Sequence, residues 1–367
     1  MGGRSRFDVC LDHNPPVDES LSDVLVEHEL AARSTLTQAA FDYIAAGAGD
    51  ELSLEESRAA WRRYRLRPRI LRGGATPDLS TEVLGTNLTM PLVVAPTAYQ
   101  LVAHSEGEVE TARGVTSAGG LMVVTTRATR LLEEIAAELQ GPWWYQVYVV
   151  SDRRLTEALV RRAVALGATA LMLTVDTPYI GFKRRGHFAP ITMEQHLVNF
   201  GTHVTPGAAF EEVTAGMAQD QSITLDTIGW LRDLAGLPVI VKGVLRADDA
   251  VACLDAGAAG VVVSNHGGRQ LDRAIATAVA LPEVVVAVEG RAPVIVDGGV
   301  VSGTDVFVAL ALGAAAAMVG RPILWGLAAA GAAGVRRVLD GYRDELDHAM
   351  GLAGVSAIGD FGRDLVV

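Results

Sequence analysis

The sequence predicts an α/β protein built around a closed (β/α)8 TIM barrel with an N-terminal helical extension. Eight short apolar runs follow one another between residues 91 and 322, and each is followed by a stretch with helical periodicity. A joint of small residues, with Gly-Ala before an apolar run, recurs at residues 166, 256 and 312, which indicates a repeated unit. The alternative is an open, doubly wound sheet, but the count of eight and the lack of a GxGxxG motif favour the barrel.

The region before the first run predicts an arm and two helices. Residues 1–34 are polar and mixed, with the turn-like HNPP at 13–16, so we expect a loosely held N-terminal arm. From residue 35 to about residue 71 apolar side chains recur at helical spacing, and GAGDE at 47–51 separates two helices. We therefore expect residues 35–90 to form N-terminal helices that pack on the barrel.

The eight apolar runs are predicted to be the barrel strands, because runs that are apolar throughout suit strands buried on both faces. They are PLVVAPTA (91–98), LMVVTT (121–126), WWYQVYV (143–149), ALMLTVDT (170–177), PVIVKGV (238–244), GVVVSNH (260–266), PVIVDGG (293–299) and AAMVGRP (316–322). The barrel domain is predicted to span residues 91–352, followed by a C-terminal tail at 353–367. The long spacer at 178–237 is predicted to be an active-site lid with a short helix.

Composition argues against several classes of function. Lys and Arg total 31 and Asp and Glu total 43, so the net charge is −12, which disfavours nucleic acid and anionic membranes as partners. Two cysteines, Cys10 and Cys253, cannot form a disulfide scaffold or a thiolate zinc site, and no HExxH motif or carboxylate cluster predicts a metal. The N-terminus lacks the apolar segment of a secretory signal, so we expect a globular cytoplasmic protein with no membrane span.

Polar residues follow the predicted strands at their carboxyl ends, where barrels of this kind hold their active groups. His266 is the strongest candidate, because two glycines that permit close backbone approach follow it and Arg269 lies three residues on. A histidine there can act as a general base and the arginine as an anion clamp, whereas the alternative is a purely structural loop histidine. The other seven histidines lack such a setting and are interpreted as structural or surface residues.

The last two runs predict a phosphate site. DGG ends the seventh run at 297–299 and GR ends the eighth at 320–321, and the corresponding loops of barrels often bind phosphate through backbone N–H groups and an arginine. Lys242 ends the fifth run, where a lysine is costly unless it meets an anion or an electron-rich ring. The mouth of the barrel is therefore predicted to bind a phosphate-bearing cofactor with a substrate above it.

In this order the motifs resemble those of the FMN-dependent 2-hydroxy acid oxidase and dehydrogenase family, which includes glycolate oxidase, lactate oxidase, mandelate dehydrogenase and hydroxymandelate oxidase. The similarity covers Phe41 to Leu352 and rests on FDYIAAGAGDE, APTAYQLVAHSEGE, WWYQVYV, LTVDTP, VIVKGV, VVVSNHGGRQLD, VDGG and VGRP. The resemblance implies an FMN cofactor and oxidation of an (S)-2-hydroxy acid to the 2-keto acid. It also implies a homo-oligomer, a tetramer or an octamer. We expect O2 as the electron acceptor, with a quinone or a protein partner as the alternatives.

The resemblance further implies roles for individual residues. His266 resembles the catalytic base, Asp176 its carboxylate partner, and Arg269 the residue that holds the substrate carboxylate. Tyr43 and Tyr148 resemble active-site tyrosines that contact substrate. Lys242 would face flavin N1/O2, where negative charge develops on reduction. The implied cofactor-binding residues are Pro96, Thr97, Ala98, Thr125, Gln146, Thr174, Lys242, Ser264, Asp297, Gly298, Gly299, Gly320 and Arg321.

Three positions depart from the family pattern. Arg127 stands where an aromatic or small residue is usual, so either the substrate carries an additional polar or anionic group or this arginine turns to solvent. Lys183 stands where a second carboxylate-binding arginine is expected, and Arg184 is the alternative for that role. Val301 replaces an arginine that often follows DGG, which leaves more of the phosphate contact to Arg321 and to backbone amides.

Two other functions stay open at this point. The same scaffold could carry an oxidative decarboxylase or monooxygenase, in which the keto acid stays bound and meets peroxide. The second alternative is a flavin-binding protein without 2-hydroxy acid turnover. The intact pair of His266 and Arg269 argues against it, and the departures at Lys183 and Val301 argue slightly for it.

Overall fold

The eight predicted runs form eight parallel strands that close into one barrel. The computed structural model describes residues 20–72, 76–201 and 214–367. A two-stranded antiparallel hairpin, β1 (Thr81–Val83) and β2 (Thr86–Leu88), precedes the barrel. The barrel strands are β3 (Leu92–Val94), β4 (Leu121–Thr125), β5 (Trp143–Val147), β6 (Ala168–Thr174), β7 (Val239–Val244), β8 (Gly260–Val263), β9 (Val294–Val296) and β10 (Ala316–Val319). Strand order follows the sequence and β10 closes on β3, so the predicted (β/α)8 barrel is confirmed.

Burial on both faces explains why the strands lack alternating polar residues. In β4, Leu121 and Val123 join the cluster that fills the barrel interior, whereas Met122 and Val124 pack outward against the helices. Successive side chains of a strand point to opposite faces, and here both faces need apolar residues. Val83 and Leu88 of the hairpin belong to the same interior cluster.

Within the described residues, three helices precede the hairpin: α1 (Leu21–Thr35), α2 (Gln38–Ala45) and α3 (Leu52–Trp61). Helix α1 corrects the prediction of a loosely held arm for residues 21–34, and residues 1–19 of that predicted arm lie outside the described residues. The side chain of Ser20 caps the helix by accepting from the backbone N–H of Asp23 at 3.2 Å. The helical pattern is blurred because a narrow buried face alternates with exposed apolar residues such as Val26 and Leu30.

The remaining helices surround the barrel or lie over its mouth. They are α4 (Glu108–Ser117), α5 (Leu132–Glu138), α6 (Arg153–Ala165), α7 (Met193–Leu197), α8 (Asp226–Ala235), α9 (Ala247–Asp255), α10 (Thr277–Val288), α11 (Gly303–Ala311) and α12 (Arg321–Ala353). Helix α8 packs on α6 and β7 and buries Ile228 and Leu231, so it is an outer helix of the barrel. The predicted lid at 178–237 is therefore too long: its part over the mouth ends before α8, and residues 202–213 of it lie outside the described residues.

The C-terminal part of the chain packs back onto the N-terminal helices. Helix α12 runs alongside α1, and its axis is interrupted at Ala330 and Gly331. After Gly354 ends α12, the tail buries Leu365 and Val366 and pairs with residues 65–67. Among the helices described, none combines the length and the apolar character needed to cross a membrane.

Candidate active site

A cavity of about 870 Å³ opens at the carboxyl ends of the barrel strands. Most of the predicted site residues lie in its wall: Tyr43, Pro96, Thr97, Ala98, Thr125, Arg127, Tyr148, Lys183, Lys242, His266, Arg269, Asp297, Gly298, Gly299, Gly320 and Arg321. Four others, Gln146, Thr174, Asp176 and Ser264, are bonded to wall residues or to one another. The structure thus brings together side chains that are up to 278 positions apart, from Tyr43 to Arg321.

The carboxylate of Asp176 orients the imidazole of His266. Asp176 Oδ1 lies 3.0 Å from His266 Nδ1, an arrangement in which Nδ1–H donates and Nε2 is left as the acceptor. The side-chain hydroxyl of Ser264 accepts from the His266 backbone N–H at 3.1 Å and holds the residue at a φ of +57°. Burial alone would raise the pKa of Asp176, but the charge and hydrogen bond of His266 hold it below its usual value. This pair can take up a proton at Nε2.

A glycine on the neighbouring strand allows Asp176 to reach this position. Gly243 lies near the end of β7 with a φ of +116°, and a Cβ there would lie 2.7 Å from the Cβ of Asp176. Any larger residue would therefore displace the carboxylate from His266. The second oxygen of Asp176, Oδ2, is buried and has no hydrogen-bond partner among the described residues.

Lys242 forms a buried ion pair beneath the cavity. Its Nζ lies 3.0 Å from Asp297 Oδ2 and donates to Ser264 Oγ at 2.8 Å. Burial by itself would lower the pKa of Lys242, but the carboxylates of Asp297 and Asp176 outweigh burial and raise it. The lysine therefore stays charged, and Asp297 Oδ1 stays buried without a hydrogen-bond partner among the described residues.

A chain of hydroxyl and amide groups crosses three neighbouring strand ends. Thr125 Oγ1 donates to Gln146 Oε1 at 2.9 Å, and Gln146 Nε2 donates to Thr174 Oγ1 at 3.1 Å. Only Thr125 of these three reaches the cavity wall, while Gln146 and Thr174 are buried behind it. Gln146 and Thr174 therefore act from behind the wall, where they fix the orientation of the Thr125 hydroxyl.

Two arginines are anchored at the carboxyl end of α2, where the helix dipole favours cations. Arg269 donates through Nη1 to the carbonyls of Tyr43 and Ala46, each at 2.9 Å, and its guanidinium also interacts with the side chain of Tyr43. Arg321 donates to the carbonyls of Ile44, Ala46 and Gly267. Burial, followed by the charge of Arg269, lowers the pKa of Arg321, as expected of a site that favours an anion.

Lys183, and not Arg184, faces the cavity. Lys183 is 8% exposed and pairs with Gly49 in an extended bridge, while the side chain of Arg184 is 71% exposed and forms an ion pair with Asp50. Successive side chains of an extended segment point in opposite directions, so only one of the two can face inward. Burial and the charges of two arginines, Arg269 first, lower the pKa of Lys183 to about 8. The assignment of Arg184 to the site is therefore corrected.

The glycines of the seventh and eighth strand ends form a narrow backbone cradle. Gly299 has a φ of +82°, and a Cβ there would lie 2.3 Å from the carbonyl oxygen of Ser57 in α3. Gly320 precedes α12, whose N-terminus has no side-chain cap. A free helix N-terminus next to Arg321 is suited to a phosphate or another anion. Val301 uses its backbone N–H to bind Asp305 at 2.9 Å.

The wall residues that the sequence analysis missed include Arg58, Tyr99, His187 and His196. Two of the histidines interpreted as structural or surface residues, the exposed His187 and the half-buried His196, line the cavity. No signal in the sequence marks His196, since α7 meets the barrel mouth only in the folded chain. Tyr99 directly follows Ala98 in a predicted strand-end segment, and that position could have identified it.

Arg127 does not turn to solvent. It is half-buried, donates through Nη2 to the Met217 carbonyl at 2.6 Å, and lies with Nη1 3.3 Å from His196 Nε2. It forms no ion pair with any described carboxylate. Across the described part of the chain, no group of three or more His, Cys, Asp or Glu side chains could hold a metal ion.

Comparison with known proteins gives one consistent family. Residues 32–367 match the model of the FMN-dependent dehydrogenases. The chain is 46% identical over 350 residues to the L-lactate oxidase of Nostoc sp., covering 92% of this chain and 95% of that protein. It is 45% identical to glycolate oxidase 3 of Arabidopsis thaliana, with 92% of this chain and 94% of that protein covered.

Solved structures of mandelate oxidase and mandelate dehydrogenase superpose on this chain. A mandelate oxidase bound to (S)-4-hydroxymandelic acid superposes with a TM-score of 0.83 at 40% identity, covering 91% of this chain and 96% of that one. A variant of a chimeric (S)-mandelate dehydrogenase superposes with a TM-score of 0.88 at 34% identity, covering 94% and 98%.

Proposed function

The chain belongs to the FMN-dependent dehydrogenase family, and from this premise we propose that it oxidises an (S)-2-hydroxy acid to the 2-keto acid. The observation that carries the proposal is the pair of His266 and Asp176, 3.0 Å apart, in a cavity that also holds Arg269 and Lys183. A base beside cations is what the removal of a proton from an anionic hydroxy acid requires. The oxidases among the relatives support the same general reaction.

The residues of the cavity fit FMN. Its volume is about 870 Å³, near the upper end of the range for small-molecule sites, which leaves room for a cofactor and a small acid. The orphaned Asp297 Oδ1 suits a hydroxyl donor such as a ribityl group, and the N-terminus of α12 with Arg321 and Arg58 suits the phosphate. Lys242 would supply positive charge to the ring. FMN, when bound, supplies the acceptor for the two electrons that leave the hydroxyl-bearing carbon.

His266 acts as the base. Of the two hydrogens that the substrate loses, Nε2 of His266 takes one as a proton, and Asp176 then stabilises the imidazolium through its carboxylate. Asp176 also fixes the tautomer, because its contact with Nδ1 keeps the hydrogen on that nitrogen. Tyr148 lies in the same wall, and burial raises the pKa of its phenol, so it stays protonated and can donate to the substrate.

Arg269 and Lys183 hold the substrate carboxylate. The anchored Nη1 of Arg269 leaves the remaining N–H groups for a two-point contact, whereas Lys183 acts as a point charge. Burial raises the pKa of Tyr43 to about 12, and its protonated hydroxyl lies close to Arg269. Fixing the carboxylate at two points orients the hydroxyl carbon toward His266.

The test is the substitution His266→Ala in single-turnover reduction of bound FMN by a panel of 2-hydroxy acids without oxygen. We expect the rate to fall by at least ~10²–10⁴-fold, because a positioned base contributes about that much. The matched control His348→Ala removes an exposed histidine of α12 and should react like the parent protein. A variant without His266 that reduces its flavin at the parent rate would refute the assignment. Admitting air afterwards tests O2 as the acceptor through return of the oxidised spectrum and formation of hydrogen peroxide.

A further inference from the structure

Arg127, His196 and Tyr99 form a cluster in the cavity wall that the proposed reaction does not use. Arg127 Nη1 lies 3.3 Å from His196 Nε2, and His196 Nδ1 lies 3.0 Å from the Tyr99 hydroxyl. Each of the three residues lines the cavity. The three groups therefore form one hydrogen-bonded chain along the wall.

The chemistry of the groups fixes the direction of this chain. A guanidinium only donates, so His196 Nε2 accepts and Nδ1 carries the hydrogen. Burial, followed by the charge of Arg127, lowers the pKa of His196 to about 4, so the ring is neutral at neutral pH. A neutral imidazole can accept at Nε2 and donate at Nδ1. Nδ1–H then donates to the Tyr99 oxygen, and burial raises the pKa of Tyr99, so this phenol keeps its own hydrogen. That hydrogen has no acceptor among the described residues.

The outcome is a patch that offers donors and a full positive charge. The Nε–H group of Arg127 likewise has no acceptor in the described part of the chain, and no described carboxylate neutralises the guanidinium. The other cations of the chamber have partners or tasks. Lys242 is paired with Asp297, Arg321 and Arg58 suit the phosphate of the cofactor, and Arg269 with Lys183 suffices for one carboxylate. For a substrate with a single carboxylate, the charge of Arg127 is surplus.

The patch belongs to the same chamber as the base. The hydroxyl of Tyr148 interacts electrostatically with Asp176 as well as with Arg127 and Tyr99. The rings of Tyr99 and Tyr43 are 6.1 Å apart, which brings the cluster next to the residues around the substrate carboxylate. A ligand held at His266 can therefore extend to Arg127.

We infer that Arg127 and Tyr99 bind a second carboxylate of the substrate, which makes the substrate a 2-hydroxy dicarboxylic acid. This inference rests on the proposed function. Arg127 supplies charge and N–H donors, Tyr99 supplies an O–H donor, and His196 is a positioning residue that holds both donors in place. The specificity of the enzyme thus depends on a wall of the cavity that takes no part in proton removal.

The experiment measures kcat/KM for three diacids, (S)-2-hydroxysuccinate, (S)-2-hydroxyglutarate and (S)-2-hydroxyadipate. Each is paired with the neutral-tailed acid in which a methyl group replaces the distal carboxylate. We expect at least one diacid to exceed its partner by about tenfold or more. Arg127→Ala should lower this diacid-to-neutral ratio by about ten- to a hundredfold, as for hydrogen bonds to charged groups. Arg161→Ala, which removes an exposed arginine of α6, should leave the ratio unchanged.

Each outcome decides between the two proposals. If no 2-hydroxy acid reduces the bound FMN, the proposed function fails, and the inference fails with it. If neutral acids react as well as diacids, or if Arg127→Ala lowers both alike, the second carboxylate site is wrong while the function stands. Should Arg127→Ala not fold, Tyr99→Phe keeps the ring and removes only the donor. We expect this variant to lower the ratio about three- to tenfold, and an unchanged ratio overturns the inference.

Discussion

Replacing Asp176 with asparagine tests how much the carboxylate contributes to proton removal by His266. Asp176→Asn keeps the size of the side chain and an oxygen that can accept from Nδ1, so it removes mainly the charge. At the observed 3.0 Å and an effective dielectric constant of about 20, the interaction with an imidazolium is about 5.5 kcal/mol. If half to all of that charge develops in the transition state, the loss is about 3–5 kcal/mol, or ~10²–10⁴-fold in rate.

The assay is anaerobic stopped-flow reduction of bound FMN at saturating 2-hydroxy acid. Asp248→Asn is the matched control, because Asp248 is exposed and forms an ion pair with Arg246 at 2.6 Å. The variant at position 176 should still bind FMN and substrate, since neither Arg269 nor Lys183 is touched. Reduction within about threefold of the parent rate would show that the carboxylate does not stabilise the proton on His266, and the roles proposed for the pair would have to be abandoned.

Three further perturbations follow from the site. Lys183 has a pKa lowered to about 8, so its charge is present below that pH and lost above it. We expect kcat/KM to fall as pH rises through about 8. Lys183→Arg should abolish this decrease, and a decrease that persists in the variant would exclude Lys183 as its cause. Gly299→Ala places a Cβ 2.3 Å from a backbone oxygen of α3 at a φ of +82°. It should lower FMN content and cost about 1–3 kcal/mol of stability in thermal unfolding, whereas Gly359→Ala, with open space around it, should do neither. Lys242→Met leaves the buried carboxylate of Asp297 without its partner and should lower the free energy of unfolding in urea by about 3–5 kcal/mol. The double variant Lys242→Met with Asp297→Asn should recover part of this loss. No recovery would argue against the ion pair as the cause.

The barrel was predictable because each strand is encoded within its own run of residues. A strand buried on both faces needs apolar side chains throughout, and this requirement appears in the sequence without knowledge of its neighbours. The helices of the N-terminal region are harder to predict from the sequence. Helix α1 buries only a narrow face against α12, and its exposed Val26 and Leu30 obscure the pattern. Helix α8 was assigned to the lid, because only its contacts with α6 and β7 show that it belongs to the barrel.

The candidate site divides in the same way. His266, Arg269 and the glycines around them lie in one short motif, so sequence alone could single them out. The choice between Lys183 and Arg184 could not be made from adjacent positions, because it depends on which side of the extended bridge to Gly49 faces the cavity. Val301 can be recognised from the sequence as a departure from the family pattern, but nothing local indicates that α3 brings Arg58 to the same wall.

The sequence by itself determined the barrel, the strand ends at which polar residues gather, and the candidate groups His266 and Arg269, since each depends on residues that are neighbours along the chain. Only the tertiary structure decided which distant side chains meet there: Asp176 against His266, Lys183 in place of Arg184, and His196 between Arg127 and Tyr99. The physical reason is the short range of the interactions that form the site. Hydrogen bonds, ion pairs and the pKa shifts that accompany them act over a few ångströms, and chain closure alone sets which groups come within that distance.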